Sequence, residues 1–431
     1  MADPVSSVAY AIEAALRALG GHLALLVPTM GIVIGIIALV TLNYWQLVRA
    51  FPEGGGSPEA AGRAFGEQWS FLPIGALVVD FALTIAISVA AADSAIIAYL
   101  PGLAPARIPI AVVLTAAVAG LTWFGHGGRL VFATMTCSFI IAAAAVLVLG
   151  WVHPHAVSSH APITGSASPA LIAVVLSFPV AMALATGTEA PATSIAQLGQ
   201  LENRGRRRFG RGTLMLTIGL VGALTMGLTA LAVHLHVGIP RSDSTQIADL
   251  AHAAAGGGGL YAFFQLSSSV LLLAAASSSF QAGPGLLKAL ARTGAGGEPG
   301  LLPRRFARTN RHHTPVAAVV LYALISVAII LVAGGHEQDL VLVYAVSVFV
   351  SFLAGLLAMA RFSRLQGLRL LLVANVLGAL AVAFTLIVNL ARGYPLISIA
   401  ATAVIAAFLY VRWVQAGRPR GIQAIEREAE D

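Results

Sequence analysis

Long apolar runs, separated by short polar connections, follow one another along the whole chain. We interpret twelve of them as membrane-crossing helices, at 5–18, 22–47, 71–99, 108–125, 130–152, 168–198, 213–235, 260–281, 315–333, 339–361, 366–390 and 394–414. A helix needs about 20 predominantly apolar residues to cross a bilayer, and all but the first run approach or exceed that length. The runs are continuous rather than alternating, which excludes a transmembrane barrel of strands. The pattern predicts an all-α membrane protein with 12 transmembrane segments.

The first segment, 5–18, differs from the others because it meets Arg17 before it is long enough to cross a bilayer. We interpret it as the second half of a broken helix, a first span that is truncated in this chain.

Composition and charge agree with this interpretation and add an orientation. Charged residues make up 10% of the chain, against about a quarter in soluble domains. If the N-terminus is cytoplasmic, 21 of the 25 Lys and Arg residues fall in cytoplasmic connections, and only Arg17, Arg107, Arg241 and Arg392 fall outside. This asymmetry predicts a multi-pass protein of the cell membrane with both termini in the cytoplasm. The basic stretch "NRGRRRFGRG" then faces anionic lipid, and no nucleic-acid partner is expected.

Five carboxylates lie within the predicted segments or at their edges: Asp3, Glu13, Asp80, Asp93 and Glu189. Ionisable groups at membrane depth are costly, so each is a candidate for a functional role. Asp80, Thr84 and Ser88 are spaced by four and share one helical face. This stripe is either a polar seam against a neighbouring helix or one wall of a cation path.

The stretch "ALATGTEAPATS", 183–194, interrupts the segment 168–198 with a glycine and a proline. Gly187 weakens helical geometry, and Pro191 cannot donate to the carbonyl of Gly187, so we expect an unwound backbone at Thr186 and Gly187. Carbonyl and hydroxyl oxygens freed there are able to bind an ion beside Glu189. The alternative is a proline kink in which Glu189 is a structural acid.

The first segment begins with a similar group of polar residues. "ADPVSSVAYAIE" places Asp3 and Tyr10 at the start of a short apolar run. Interrupted helices at matching positions in two halves of a chain are typical of the binding site of a transporter built from inverted repeats.

These motifs resemble a known family. "DPVSSVAYA", "FPEGGG", "DFALTIAIS", "TGTEA", "LAAASSSFQAGPGLL" and "LVYAVSVFVSF" are similar to the amino acid–polyamine–organocation (APC) superfamily, and within it to the KUP-like potassium–proton symporters. The resemblance implies a five-plus-five inverted-repeat (LeuT-like) architecture with broken helices 1 and 6. Its units would be 1–155 (spans 1–5), 156–362 (spans 6–10), 363–415 (spans 11–12) and a cytoplasmic tail, 416–431.

The resemblance also implies roles for individual residues. A potassium ion would be bound by Asp3, Tyr10, Thr84, Ser88, Thr186 and Tyr344, while Glu189 and Asp80 would serve proton coupling. Gly187 and Pro191 would form the helix break. The chain departs from the family pattern at Phe81, where a tyrosine is usual, and at Pro58, where the family has the tyrosine of a "GGGxY" motif.

We therefore predict a secondary active transporter, a symporter of potassium or another monovalent cation with protons that works by alternating access. The alternative is a permease for amino acids or small organic solutes, which usually offers glycines at the break of span one, where this chain reads "SSVAYA". A third interpretation is a non-transporting sensor or partner subunit. No motif indicates an enzyme, a cofactor or a metal other than the transported cation. The expected partners are the solute or cation, protons and the lipid bilayer. A homodimer is a further alternative.

Overall fold

The protein is described from a computed structural model, which covers residues 2–52, 54–124, 129–155, 169–190, 192, 202–292, 300–344, 347–393 and 396–418. At 129–132 and 343–344 it describes the backbone alone. Within these ranges the regular elements are all helices, as the apolar pattern predicts.

Seven α-helices precede residue 155. They are α1 (Ala2–Ser6), α2 (Val8–Ala18), α3 (Leu26–Ala50), α4 (Gly56–Phe65), α5 (Phe71–Tyr99), α6 (Arg107–Trp123) and α7 (Arg129–Val152). Nine more follow. They are α8 (Ala170–Ala181), α9 (Asn203–His234), α10 (Gln246–Ala255), α11 (Gly259–Ala291), α12 (Val316–Val332), α13 (Glu337–Tyr344), α14 (Ser347–Leu365), α15 (Arg369–Ala391) and α16 (Leu396–Gln415).

Part of the predicted set of twelve segments, the first of them truncated, is confirmed in the described residues. Nine helices there are long and apolar enough to cross a membrane. Two further apolar helices, Ala170–Ala185 and Val316–Val332, are shorter, and 17 residues of α-helix reach only about 26 Å across a hydrocarbon core of about 30 Å. The remaining predicted segment, at the N-terminus, consists of the short helices α1 and α2.

Two helices occur where the sequence pattern indicates only connections. Helix α4 follows the glycines of "FPEGGG", and Gly55 precedes it with a φ of 91°. Helix α10 begins after Thr245, whose side chain accepts a hydrogen bond from the Ala248 backbone N–H at 3.3 Å. Both have ten residues, too few to produce a strong hydrophobic signal in a chain dominated by membrane-length runs.

Helix α5 is the centre of the bundle. Its most apolar stretch is 94% buried, and the helix packs against α6, α11, α12, α13, α14 and α16. A helix surrounded on all sides is apolar all round, so the few polar side chains on α5 face protein and not lipid. This position makes Asp80, Thr84 and Ser88 available to several neighbouring helices at once.

A buried group of amides connects α3, α14 and α15. The Asn43 side chain donates to Asn375 Oδ1 at 3.0 Å and to the Gly355 carbonyl at 3.2 Å. Asn375 Nδ2 in turn donates to Gln46 Oε1 at 2.9 Å. Because lipid offers no hydrogen bonds to membrane-buried polar groups, these amides bond to one another, although Asn43 Oδ1 has no partner among the described residues.

The amide group predicts the effect of Asn375→Leu. The substitution leaves the Asn43 and Gln46 amides buried without this partner, and we expect the free energy of unfolding to fall by about 1–3 kcal/mol. The matched control is Val376→Leu, the next residue on the same helix, whose side chain is exposed on the outer face of the bundle. Thermal unfolding of both variants in detergent measures the difference, and equal midpoints would contradict a stabilising role for the amides.

Candidate functional site

The backbone leaves helical geometry at Thr186–Glu189. Helix α8 continues into a 3₁₀ helix, Met182–Ala185, and then into turns in which Gly187 has a φ of 73°. The Thr186 hydroxyl donates to the Ala183 carbonyl at 2.6 Å and the Thr188 hydroxyl to the Ala185 carbonyl at 2.7 Å. The interruption lies where the sequence predicts it, whereas Pro191 lies outside the described residues.

A smaller irregularity lies in the N-terminal segment. Ser7 separates α1 from α2, but its φ of −65° and ψ of −20° keep the backbone close to helical geometry. Its hydroxyl donates to the Pro4 carbonyl at 2.8 Å and to the Leu184 carbonyl at 3.0 Å. Since Leu184 precedes the interruption at Thr186–Glu189, the N-terminal segment is directly hydrogen-bonded to the broken one.

Asp3 lies against the break at Gly187. A β-carbon added at Gly187 would lie 2.6 Å from Asp3 Cγ and 2.8 Å from its Oδ2. The site therefore needs glycine at 187 for two reasons, the left-handed φ and the close approach of the Asp3 carboxyl group.

Three carboxyl groups meet here, and we name Asp3, Asp80 and Glu189 the carboxyl cluster. The exposed fractions of their residues are 7%, 1% and 3%. The Glu189 and Asp80 side chains hydrogen-bond to each other, and Asp3 is close enough to act on Glu189 electrostatically. An ionised carboxylate is only an acceptor, so a hydrogen bond between two carboxyl groups requires a proton on one of them.

Tyrosines surround the cluster. Tyr10 is buried, its hydroxyl lies beside the Thr186 side chain, and Asp3 and Asp80 both act on it electrostatically. On another side, the Tyr322 hydroxyl donates to the Val78 carbonyl at 3.3 Å and is within electrostatic range of Asp80. The structure thus brings Asp3, Tyr10, Asp80, Thr186 and Glu189 together.

Thr84 and Ser88 continue from Asp80 along the same face of α5, about 6 Å and 12 Å along the helix axis. Both are buried, and the Ser88 hydroxyl has no hydrogen-bond partner among the described residues. Tyr344 is the last residue of α13, which packs against α2 and α5, but its side chain lies outside the described residues. That all these oxygens line one cavity stays a prediction.

Glu13 and Asp93 belong to a different polar group, distant from the carboxyl cluster. Asp93 is 13 residues beyond Asp80 on the continuous helix α5, a separation of about 20 Å. Both carboxylate oxygens of Asp93 lack hydrogen-bond partners among the described residues, and Arg107 and Glu337 are its charged neighbours. The sequence named these acids as candidates alongside Asp80 without placing them in its proposed site, and the structure puts them in a separate group.

The contacts of this second group join several elements. Glu13 pairs with Arg17 at 2.7 Å and accepts from the Gln246 backbone N–H at 2.9 Å. The Arg107 side chain donates to the Ser94 hydroxyl at 2.7 Å, and Ser94 donates to Glu337. We name Glu13, Asp93, Arg107 and Glu337 the distal network. Sequence reasoning did not single out Glu337, because it lies outside the predicted segment 339–361.

Tyr44 on α3 is another residue that sequence reasoning missed. Its hydroxyl lies 3.2 Å from the Ser57 hydroxyl and beside that of Ser351, and Glu189 and Asp80 are within electrostatic range. The signal was present in "LNYWQL", where Asn43, Tyr44 and Gln46 interrupt an apolar run.

A helical bundle in which an interrupted helix meets buried carboxyl groups is typical of one class of protein, the secondary transporters. Comparison with known families agrees with it. The chain belongs to the amino acid permease family of the APC superfamily, whose sequence profile matches residues 4–421.

Two individual proteins are similar to this chain. It is 28% identical over 365 residues to the potassium transporter KimA of Bacillus subtilis. The match covers 81% of the chain but 58% of that relative, less than two thirds of its length. A mutant of the Eremococcus coleocola manganese transporter is 15% identical with a TM-score of 0.48, over 96% of this chain and 95% of that one. A likeness of that degree carries no argument about this protein.

The geometry at Gly187 predicts that Gly187→Ala destabilises the protein. A non-glycine residue in a disfavoured backbone region costs about 1–3 kcal/mol, and the new methyl group would displace the Asp3 carboxyl group. The control is Gly219→Ala, since a β-carbon at Gly219 has nothing within 4 Å. Thermal unfolding in detergent should give a lower midpoint for Gly187→Ala than for the wild type, whereas Gly219→Ala should have the midpoint of the wild type. Equal midpoints would mean that the break tolerates a side chain.

Proposed function

We propose that this chain is a symporter that moves potassium, or another monovalent cation, together with protons by alternating access. The observation that carries the proposal is the hydrogen bond between Asp80 and Glu189 beside the break at Gly187. It provides a proton site in contact with a group of oxygens suited to a cation. The similarity to a potassium transporter supports the choice of cation.

The proposed cation site combines one carboxylate with neutral oxygens. Asp3, which lies against Gly187, supplies the negative charge. The Tyr10 hydroxyl lies beside the Thr186 side chain and within electrostatic range of Asp3. Thr84, Ser88 and Tyr344 are the further ligands that we propose from the sequence motifs. Hydroxyl and carbonyl oxygens replace the hydration shell of a weakly hydrated cation such as potassium.

Coupling between the proton and the cation follows from charge. Three ionised carboxylates in a dry interior would be very costly. A proton shared by Asp80 and Glu189 and a cation held by Asp3 together neutralise two of the three charges. Closure of the site around the doubly loaded form therefore buries less net charge than closure around either singly loaded form. In this proposal the reduced charge makes transport of the cation depend on the proton.

The alternative function is a permease for amino acids or small organic solutes, which the family name favours. Such a site needs free backbone N–H groups to bind a substrate carboxylate. Here Ser7 alone interrupts α1 and α2, and the N–H groups of Tyr10 and Ala11 are already bonded to the Ser7 carbonyl. The carboxyl cluster would also repel the carboxylate of an amino-acid substrate. Both features favour a cation.

We further propose that the chain lies in the cell membrane with cytoplasmic termini and that its spans form two inverted repeats, 1–155 and 156–362. The distribution of Lys and Arg is the basis for the orientation. The hydrogen bond between Ser7 in the N-terminal segment and Leu184, before the break at Gly187, is the basis for the two repeats.

Glu189→Gln tests the coupling. The amide keeps the shape of the side chain and its hydrogen bond to Asp80 but cannot release a proton. We expect folding and cation binding to persist while concentrative uptake driven by a proton gradient is lost. Rubidium flux into proteoliposomes, with and without an inward proton gradient, measures this. The control is Glu202→Gln, an acid-to-amide change at an exposed position before α9.

Two results would overturn parts of this proposal. Gradient-driven flux equal to wild type in Glu189→Gln would make Glu189 a structural acid and move the proton to Asp3 or Asp80. A wild-type protein that moves no cation, but whose unfolding temperature rises with an amino acid, would instead support the permease.

A further inference from the structure

Helix α15 bonds through a buried amide to α8, the helix that leads into the break at Gly187. Asn389 is 5% exposed, and its Nδ2 donates to the Pro179 carbonyl at 3.1 Å. Helix α8 ends at Ala181, so Pro179 is one of the last four residues of that helix, whose carbonyls lack partners within a regular α-helix. Asn389 therefore binds a carbonyl that is available because the helix ends before the break.

Two further contacts hold α15 against the same turn of α8. The Phe384 ring on α15 stacks on the Phe178 ring, with the ring centres 5.7 Å apart and the planes inclined by 23°. Arg392, which follows the last residue of α15, donates from Nη2 to the Leu176 carbonyl at 2.5 Å. The contacts with residues 176, 178 and 179 cover about one turn of α8, so together they fix the position of that turn.

The N-terminal segment also holds this part of α8. The Ser177 hydroxyl donates to the carbonyl of Ala18, the last residue of α2, at 2.9 Å. The two supports differ in what else they carry. The N-terminal segment contains Asp3 and Tyr10 of the candidate site, whereas α15 contains none of the candidate site residues. An effect of α15 on the site therefore has to pass through α8.

A continuous run of helical turns connects Pro179 to the break. Helix α8 passes directly into the 3₁₀ helix Met182–Ala185, and Thr186 follows. The separation of Pro179 and Thr186 along this run is about 12 Å. Because no loop lies between them, a displacement of Pro179 also displaces the break.

We propose that Asn389 is a positioning residue that keeps the break in its cation-binding geometry through the carbonyl of Pro179. The inference rests on the proposed function, since it gives α15, which lies outside both proposed repeats, control over the cation affinity. Without the Asn389 amide, α8 adopts other positions, and the fraction of molecules with the binding geometry falls. The apparent affinity falls by the same factor. At saturating cation the binding geometry is restored, so the maximal rate stays close to that of the wild type.

Asn389→Leu tests the inference through rubidium uptake into proteoliposomes under an inward proton gradient. The loss of one hydrogen bond shifts an equilibrium about two- to tenfold. We therefore expect the half-saturating rubidium concentration to rise by that factor at a nearly unchanged maximal rate. Asn389→Gln keeps a donor amide and should restore most of the affinity.

A second measurement does not need transport. Hydrogen–deuterium exchange in nanodiscs, without potassium or rubidium, reports on the hydrogen-bonded backbone N–H groups of Thr186 and Thr188 in the break. These should exchange about two- to tenfold faster in Asn389→Leu. The matched control is Asn375→Leu, which removes a buried amide on the same helix whose bonds are to α3 and α14. It should lower the unfolding temperature but leave the half-saturating concentration and the exchange at the break unchanged.

The outcomes separate the inference from the proposed function. Wild-type half-saturation and exchange in Asn389→Leu overturn the positioning role even if the protein transports rubidium, and so do equal changes in Asn375→Leu. Faster exchange at the break in Asn389→Leu alone, in a protein that moves no cation, supports the positioning role and overturns the symporter. If Asn389→Leu does not fold, Phe384→Leu removes the ring stacked on the same turn of α8. It should shift both measurements in the same direction, and wild-type values would then overturn the inference.

Discussion

The contact between the N-terminal segment and the break at Gly187 is the constraint on which the rest of the site depends. A broken helix inside a membrane exposes backbone groups that lipid cannot satisfy. Here the Ser7 hydroxyl bonds to the Leu184 carbonyl, and the Asp3 carboxyl group packs on the Gly187 backbone. The N-terminal segment thus supplies polar groups to the backbone next to the break.

Much of the fold and part of the site are visible in the sequence because both arise from local signals. Apolar length predicts the long helices, and a glycine and a proline inside an apolar run predict the turn at Gly187. Short helices such as α4 leave a weak local signal, so the pattern shows only a connection there. Length is harder to judge from the pattern, since Val316–Val332 is apolar throughout and yet shorter than the nine long helices of the described residues. Apolar composition does not by itself decide whether a segment crosses the bilayer, because the length of the helix matters as well.

What the sequence could not supply is the grouping of distant polar residues. Asp80 and Asp93 look alike as buried acids on one helix, but their neighbours come from different parts of the chain. Glu189 faces Asp80, whereas Arg107 and Glu337 face Asp93. Tyr44 was overlooked because its partners, Ser57 and Glu189, become neighbours only after folding. Such long-range contacts follow from packing and have no spacing rule.

The placement of these groups along α5 suggests how access to the two ends would be kept apart in a transporter of the proposed kind. A continuous helix buried on all sides moves little within itself, so Asp80 and Asp93 stay about 20 Å apart along it. The distal network connects α5 to α2, α6 and α13, whereas the hydrogen bond between Tyr44 and Ser57 connects α3 to α4. The two sets share no residue. In a transporter of the proposed kind, one end would therefore be able to loosen while the other stays bonded, with α5 as the common support.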